Sequence, residues 1–348
     1  MTSIRDIAAR AGVSIGTVDR VLHHRGRVSE RTRKRVEKII RRLRYRPNIY
    51  ARNLSLSRTY RFAALMPRLS QDSDYWRLPA RGITKARDEL DPYRVKVRFF
   101  HFDRYSESSF QRAYSAAGRW DPDGLLVAPV LEEAGLAVFA RKGQDIPRVF
   151  FDSSLPGTCS ILTISQDPYQ SGLLAAHLLT AMMNGGKRSL AVVKVLPVDY
   201  HIDERIRGFT DGLSAGRAVR VPVYELDSQR GTGHFRDVVK TLLRENENLQ
   251  GIFVSNAWTH AVARLCRVLA PGRHLRIAGY DLVRENLKLL ESGAIDFLIS
   301  QRPETQGYEG VYALYRHVVL RERVPAQIMV PLDILTKDNA RYYLDQNP

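Results

Sequence analysis

From Arg61 onwards, short apolar runs alternate with helical stretches along most of the remaining chain. Such alternation predicts parallel sheets with helices on both faces. Roughly 290 residues suit two doubly wound lobes, so we expect an α/β fold for this part. The strand-like runs are Phe62–Met66, Val95–Phe102, Gly124–Ala128, Val149–Phe151, Leu190–Val195, Gly251–Ser255 and Arg276–Tyr280, and the helical stretches include Tyr169–Met183, His234–Glu245 and Thr259–Leu269.

Positive charge is concentrated near the amino terminus. Residues 1–60 contain 16 Lys or Arg and 4 Asp or Glu, so they carry +12 of the net charge of +17. A segment of this kind is expected to meet a polyanion. On charge alone, a basic face that merely contacts solvent is an equally good interpretation.

The composition is that of a soluble globular protein, with 44% apolar and 26% charged residues. The apolar stretches Leu125–Leu131 and Leu173–Met183 are too short or too interrupted to cross a bilayer. Charges at Arg5, Asp6 and Arg10 interrupt any apolar run that could act as a signal peptide. With only two cysteines, a disulfide framework is not expected, and we predict a cytoplasmic protein without membrane partners.

The apolar spacing between residues 3 and 43 predicts three short helices. Ser3 and Asp6 form a start that resembles a capping box, and Gly12 allows a turn after the first helix. Ser14 and Ser29 can cap the second and third helices. This is the pattern of a helix-turn-helix unit, whose second helix fits the major groove of DNA. The residues that the second helix leaves outside are Ile15, Gly16, Thr17 and Arg20.

The run Ile4–Leu22, with Gly26–Ser29 and Tyr45–Asn48 after it, resembles the headpiece of the lac repressor (LacI/GalR) family. The resemblance implies that Ile15 and Gly16 occupy the two main base-reading positions and that Arg20 contacts a base. It also implies contacts to phosphates or base edges from Ser14, Thr17, His23, Ser29 and Thr32.

Three positions depart from the family pattern. Ile15 and Gly16 have no side-chain hydrogen-bonding group, so we expect apolar contact with thymine methyl groups or close approach of the backbone. Asp19 stands where the family often has a serine beside a phosphate, and we assign it no DNA contact.

A hinge follows the headpiece. Pro47 ends the preceding helix, Asn48 can cap a new one, and residues 49–56 allow only about two turns, which are marginal in isolation. The resemblance implies that paired hinge helices enter the minor groove, with Leu54 wedged between base pairs and Ala51 near the groove floor. We therefore expect Asn48, Ala51 and Leu54 to belong to the DNA-binding surface.

Polar residues follow or end several strands of the core, as in Ile164–Asp167, Phe253–Asn256 and Ile277–Asp281. Their order resembles the periplasmic-binding-protein type I fold that the same family carries. Carboxylate, guanidinium and amide groups match sugar hydroxyls, while an aromatic ring can stack on a sugar face. A structural role for the polar residues, and core packing for Trp76, stay open. The effector-contacting residues that the resemblance implies are Tyr75, Trp76, Asp167, Arg205, Asn256, Asp281 and Gln301.

The sequence contains no P-loop, no His-Glu-x-x-His and no Gly-x-Ser-x-Gly motif. Gly231-Thr-Gly-His lacks the third glycine of a dinucleotide-binding loop, and the nine histidines show no metal-ligand spacing. We therefore expect a protein that is not an enzyme, with no catalytic residues, no metal and no cofactor.

We expect a helix-turn-helix headpiece at 1–47, a hinge at 48–59 and an effector-binding core at 60–348. The first lobe is predicted at about 60–186 and 302–327, and the second at about 187–301 and 328–348. The resemblance implies a homodimeric regulator, a repressor, that binds a palindromic double-stranded operator under control of a small-molecule effector, a carbohydrate. Two alternatives stay open, a solute-binding protein without a regulatory role and a sugar-active enzyme fused to a DNA-binding domain.

Overall fold

The structure is a computed structural model that describes residues 4–22, 28–43, 58–140, 146–183, 189–197, 199–214 and 221–344. The chain divides into two compact units, Met1–Arg58 and Thr59–Pro348. In the described part of the chain, no helix is both long and apolar enough to cross a membrane.

The described residues of the first unit form three helices: α1 at Ile4–Ala11, α2 at Ile15–Leu22 and α3 at Glu30–Arg42. Gly12 has a φ of +60°, the left-handed conformation that ends α1 and that glycine adopts without strain. Ile7, Val18 and Val36 are completely buried, one from each helix, so a small shared core holds the unit together.

In the second unit, the residues that the structure describes form two six-stranded sheets. The order of the first is β2-β1-β3-β4-β5-β11, and all its pairs are parallel. The order of the second is β7-β6-β8-β9-β10-β12, in which only β12 is antiparallel. The first sheet contains β1 Tyr60–Pro67, β2 Val95–Phe102, β3 Gly124–Val127, β4 Arg148–Phe151, β5 Leu162–Ser165 and β11 Gln327–Met329. The second contains β6 Leu190–Leu196, β7 Val223–Asp227, β8 Gly251–Val254, β9 Arg276–Tyr280, β10 Phe297–Ser300 and β12 Asp333–Leu335.

Helices connect the strands, as the alternating pattern predicts, and the α/β fold class is confirmed. They are α4 Arg77–Leu90, α5 Glu107–Arg119, α6 Glu132–Phe139, α7 Pro168–Ala181, α8 Tyr200–Ser214, α9 Gly231–Glu245, α10 Thr259–Leu269, α11 Arg284–Glu291, α12 Pro303–Leu314 and α13 Ala340–Leu344. A 3-10 turn spans Asp91–Tyr93, and a π-helical turn, Tyr315–Val319, follows α12. In each sheet the strand order reverses beside the first strand, and this is where doubly wound folds bind ligands.

The predicted lobe boundaries need two corrections. Residues 168–183 were predicted to belong to the first lobe, but Ala175, Ala176 and Leu179 of α7 pack against the second sheet. The chain therefore crosses from the first lobe to the second between β5 and α7, because the apolar side of α7 packs against the second sheet. The last crossing follows β11, which pairs with β5, so residues 328–329 belong to the first lobe. The middle crossing lies between β10 and α12.

Glycine allows α7 and α8 to approach each other closely. A Cβ atom on Gly172 would lie 2.0 Å from the carbonyl oxygen of Arg205, and one on Gly208 would lie 2.0 Å from that of Tyr169. The two helix backbones are therefore in direct contact, and this contact positions Arg205 at the edge of the second sheet.

Candidate functional site

In the first unit, α2 presents an exposed face that its capping residue helps to order. The backbone N–H of Thr17 donates to Oγ of Ser14 at 3.2 Å, which caps the helix. Val18 and Val21 point into the core, so Ile15, Gly16 and Arg20 are exposed on the opposite side. Ile15 leaves 48% of its surface accessible, so its side chain is available for contact with thymine methyl groups.

Gly16 has no structural reason to be glycine. It lies in the first turn of α2, where glycine is less favourable than alanine. An added Cβ would meet nothing closer than 4.0 Å, so the fold would accept a side chain here. Nε of Arg20 donates to the Gly16 carbonyl oxygen at 3.1 Å, which holds the arginine along the exposed face.

The amino-terminal end of α3 is capped in the same way as that of α2. The backbone N–H of Thr32 donates to Oγ of Ser29 at 3.3 Å, and the hydroxyl of Ser29 donates to that of Thr32 at 2.8 Å. Both residues lie at a helix amino terminus, where backbone N–H groups favour phosphates. Of the other predicted DNA contacts, His23, Asn48, Ala51 and Leu54 lie outside the described residues.

In the second unit, polar side chains from both lobes surround a cavity of about 20 Å³, large enough for one water molecule. They follow the carboxyl ends of the strands: Tyr75 and Trp76 after β1, Arg104 after β2, Asp152 after β4, Asn256 after β8, Asp281 after β9 and Gln301 after β10, with His201 and Arg205 on α8. The structure therefore holds the cleft closed around very little space, and a sugar could enter only if the lobes separated.

Arg205 lies at the centre of this site and is buried. Its Nη1 donates to the carbonyl oxygen of Ser255 at 3.1 Å, and its Nη2 donates to Oε1 of Gln301 at 3.2 Å. Its guanidinium lies over the Tyr280 ring, 3.8 Å from the centroid. Among the residues that the structure describes, its Nε has no hydrogen-bond partner. A ligand acceptor would complete the bonding of this side chain.

Asp152 and Asp281 occupy corresponding positions in the two lobes. Each follows a strand in a left-handed conformation, with φ of 72° and 63° respectively. Burial raises the pKa of Asp152 to about 7 and that of Asp281 to about 6, although Arg205 opposes both shifts. The hydroxyl of Tyr75 donates to Asp152, while Oδ1 of Asp281 has no partner in the described part of the chain.

Side chains also bond across the cleft. Arg104 donates to Asp72 in its own lobe and to Asp199 in the other, both at 2.6 Å. Ser73 bonds to Nε2 of His260 at 2.6 Å, and the hydroxyls of Tyr105 and Ser228 are 3.0 Å apart. The closed arrangement is thus held by the protein's own contacts.

Comparison with known proteins gives two family matches. Residues 3–48 match the family described as bacterial regulatory proteins, lacI family. Residues 63–322, most of the second unit, match the periplasmic binding protein domain. The chain belongs, over residues 63–322, to the periplasmic binding protein domain family, and its residues 3–48 carry a lacI-family domain.

Two curated relatives of this chain come from Bacillus subtilis (strain 168). The HTH-type transcriptional regulator DegA is 28% identical over 181 residues, which are 51% of this chain and 52% of DegA. The chain thus spans about half the length of DegA in that match. The ribose operon repressor is 27% identical over 289 residues, 81% of this chain and 82% of the repressor.

A solved structure with the same core fold is the ABC transporter solute-binding protein from Burkholderia graminis C4D1M, in complex with D-arabinose. Its TM-score is 0.71 at 23% identity, with coverage of 80% of this chain and 96% of that chain. This likeness shows that the core has the periplasmic-binding-protein fold, which confirms the predicted architecture.

The structure brings six of the seven predicted effector residues to the cavity, and Asp167 is the exception. Oδ1 of Asp167 accepts the backbone N–H of Gln170 at 2.9 Å and caps α7. Its neighbour Gln166 is buried instead and donates to Gln301 at 3.3 Å. In this structure Asp167 caps a helix and does not line the cavity, so an effector contact from Asp167 stays a prediction.

Trp76 is completely buried, and its Nε1 donates to Asp72 at 2.7 Å. It lies at the cavity wall and packs edge-on against Tyr75, with ring centroids 5.1 Å apart. Trp76 thus packs in the core and also lines the cavity, and contact with an effector stays a prediction.

Sequence reasoning missed Asp72, Arg104, Asp152, Asp199 and His201. Asp152 directly follows the predicted strand Val149–Phe151, so the rule that found Asp281 could have found it too. In the sequence, Arg104 lies 32 positions from Asp72 and 95 positions from Asp199, so no local pattern predicts these two pairs.

Proposed function

We propose that this chain is a repressor that binds a palindromic operator as a homodimer and releases or retains it under control of a small-molecule effector. The match of residues 3–48 to the lacI family carries the DNA-binding part. The exposed face of α2, with Arg20 and Ile15 at its centre, supports it physically. A solute-binding protein without a regulatory role is not favoured, because such a role leaves this headpiece unexplained.

The headpiece can be tested by substitution in the full chain. Arg20→Ala should weaken binding to a selected operator by about 1–3 kcal/mol and relax base preference at one position in each half-site. Arg112→Ala is the matched control, since Arg112 is exposed on α5 of the core and should leave operator affinity unchanged. Fluorescence anisotropy on operators selected from random DNA measures both variants. Unchanged affinity and preference for Arg20→Ala would remove α2 from the interface.

The hinge and the dimer belong to the same proposal. Leu54→Ala should reduce operator bending, measured by energy transfer between dyes at the DNA ends, while effector affinity stays the same. Two-fold symmetry of the protein requires matching half-sites, so operators with one half-site randomised should bind much more weakly. Equal binding to half-sites and full sites would contradict the dimer. A regulator of chromosomal operators would act in the cytoplasm.

A carbohydrate is the proposed effector. The cleft offers carboxylate, guanidinium and amide groups beside two aromatic rings, the chemistry that recognises sugar hydroxyls. The names of the ribose operon repressor and of the arabinose complex point to the same class of ligand. Binding alone suffices for this role, so no reaction is assigned to the cleft. A calorimetric screen of pentoses and hexoses against the full chain tests it, and a screen in which only nucleobases bind would reject it.

A further inference from the structure

The positive charge of Arg104 is neutralised by two aspartates of the protein itself. Its Nη1 donates to Oδ2 of Asp72 and its Nη2 to Oδ2 of Asp199, both at 2.6 Å. The three side chains are 6%, 6% and 4% exposed, so water does not compete for these bonds. An anionic ligand that bound Arg104 would have to displace a buried carboxylate and leave its charge uncompensated, which is strongly unfavourable.

Arg205, the second guanidinium of the site, is balanced as well. Burial raises the pKa of Asp152, Asp199 and Asp281, and Arg205 is close enough to each to oppose that shift. His201 adds no positive charge near pH 7, because burial and the two arginines hold its pKa well below the usual range. Among the described residues at this site, four aspartates (72, 152, 199 and 281) surround two arginines (104 and 205), so neither guanidinium is left without a carboxyl group nearby.

The atoms left without a partner at the cavity wall are both donors and acceptors. Within the described part of the chain, Nε of Arg104 and Nε of Arg205 lack an acceptor, and Oδ1 of Asp281 lacks a donor. Among the same described residues, Oδ1 of Asp199 and Nδ1 of His201 make no hydrogen bond either, and they lie 3.2 Å apart. Hydroxyl groups both donate and accept, so a polyol suits donors and acceptors alike. A phosphate or carboxylate accepts only, and it would face Asp281 with like charge.

We propose that the cleft selects a polyhydroxyl effector without an anionic group, with Asp199 as a specificity-determining residue that excludes sugar phosphates and sugar acids. This inference rests on the proposed function, since it concerns the effector of the same regulator. Asp199 accepts a hydrogen bond from Arg104 across the cleft, so this guanidinium already has an anionic partner from each lobe when the cleft is closed.

The experiment compares neutral and anionic members of matched pairs by titration calorimetry on the full chain: D-ribose with D-ribose 5-phosphate, D-glucose with D-glucose 6-phosphate, and D-galactose with D-galacturonate. For whichever pair binds, the neutral sugar should bind at least 100-fold more tightly. Asp199→Asn keeps the side-chain shape and removes one negative charge, and it should narrow that ratio at least tenfold. Asp121→Asn is the control, because Asp121 is 94% exposed in its side chain and its left-handed backbone suits asparagine.

An anionic member that binds as tightly as its neutral partner to the wild-type chain would overturn the proposal, and this result does not depend on how the variants fold. An unchanged ratio in a folded Asp199→Asn variant would remove Asp199 from the selection. If no member of any pair binds while the operator is still bound, the carbohydrate part of the proposed function fails and this inference fails with it. Loss of operator binding by the wild-type chain would instead count against the regulator itself.

Discussion

Gly172→Ala should destabilise the core and weaken effector binding at the same time. The added Cβ would lie 2.0 Å from the carbonyl oxygen of Arg205 and 2.7 Å from the backbone nitrogen of Phe209. Ordinary carbon–oxygen contacts are about 3.3 Å or longer. Helices α7 and α8 must therefore separate by roughly 1 Å, because backbone atoms cannot turn aside as a side-chain end can.

The expected loss follows from two opposing effects. Overpacking of a close contact costs about 1–3 kcal/mol, and the close approach at Gly208 must open as well, which puts the cost near the top of that range. Alanine regains about 0.5–1 kcal/mol as a better helix former. The free energy of unfolding should therefore fall by roughly 2 kcal/mol, and the melting temperature by roughly 4–8 °C.

Effector affinity should fall because Arg205 lies on α8 and moves with it. A shift of this size misaligns its bonds to Ser255 and Gln301, and we expect at least a tenfold weaker affinity, about 1.4 kcal/mol. Scanning calorimetry and titration calorimetry of the full chain measure the two effects.

Gly118→Ala is the matched control for this change. Gly118 is exposed on α5, and an added Cβ would meet nothing within 4 Å. Its melting temperature should equal that of the wild type or exceed it slightly. If Gly172→Ala melts with the wild type and binds the effector normally, the backbone contact between α7 and α8 does not constrain the site as we have argued.

Three further substitutions address other parts of the molecule. Asn286→Leu should lower the free energy of unfolding by roughly 3 kcal/mol in a urea titration. The substitution removes a fully buried amide that accepts from the backbone N–H of His260 at 2.7 Å and donates to the carbonyl oxygen of Asp281 at 2.9 Å. Wild-type stability of this variant would show that the fold does not depend on these hydrogen bonds. Burial raises the pKa of Asp152 from 3.8 to about 7, so the protonated form favours folding: this contribution is complete below pH 4 and is lost as the pH rises to 7, by roughly 4 kcal/mol. Asp152→Asn should remove that decline in urea titrations between pH 4 and 7.5, and parallel pH profiles for the two proteins would refute the assignment. Gly16→Ala should weaken operator binding at least tenfold in fluorescence anisotropy without lowering the melting temperature. The fold has room for the added methyl group, but DNA whose bases lie close to the Gly16 backbone would not. Unimpaired operator binding would show that DNA does not approach this backbone closely.

Local chemistry made the headpiece predictable. Ser14 and Ser29 cap helices through backbone N–H groups three residues later, and the apolar spacing predicted their buried faces. Helix capping and apolar spacing both depend on residues within one or two helical turns of each other, so they can be predicted from the sequence. The strands Val95–Phe102 and Arg276–Tyr280 begin and end as predicted. In Val95–Phe102, buried residues largely alternate with exposed ones, and this period of two is a pattern that lies within the strand itself.

The lobe to which α7 belongs was not predictable in this way. Its apolar residues suit either sheet, and only packing against Val192, Phe253 and Ala278 assigns it to the second. Gln166 is buried, whereas its neighbour Asp167 caps α7. The sequence did not show which of the two side chains would point inward, because the direction of a side chain at a strand end depends on where the strand stops.

The sequence by itself determined that this chain has a basic three-helix headpiece and a two-lobed α/β core with polar residues at its strand ends. Only the tertiary structure decided which of those residues meet: Arg104 pairs with Asp199 across the cleft, 95 positions away, and Asp152 faces the same cavity as Asp281. Parallel strands bring their carboxyl ends together whatever their separation in sequence, so the charge balance of the cleft is a property of the folded lobes.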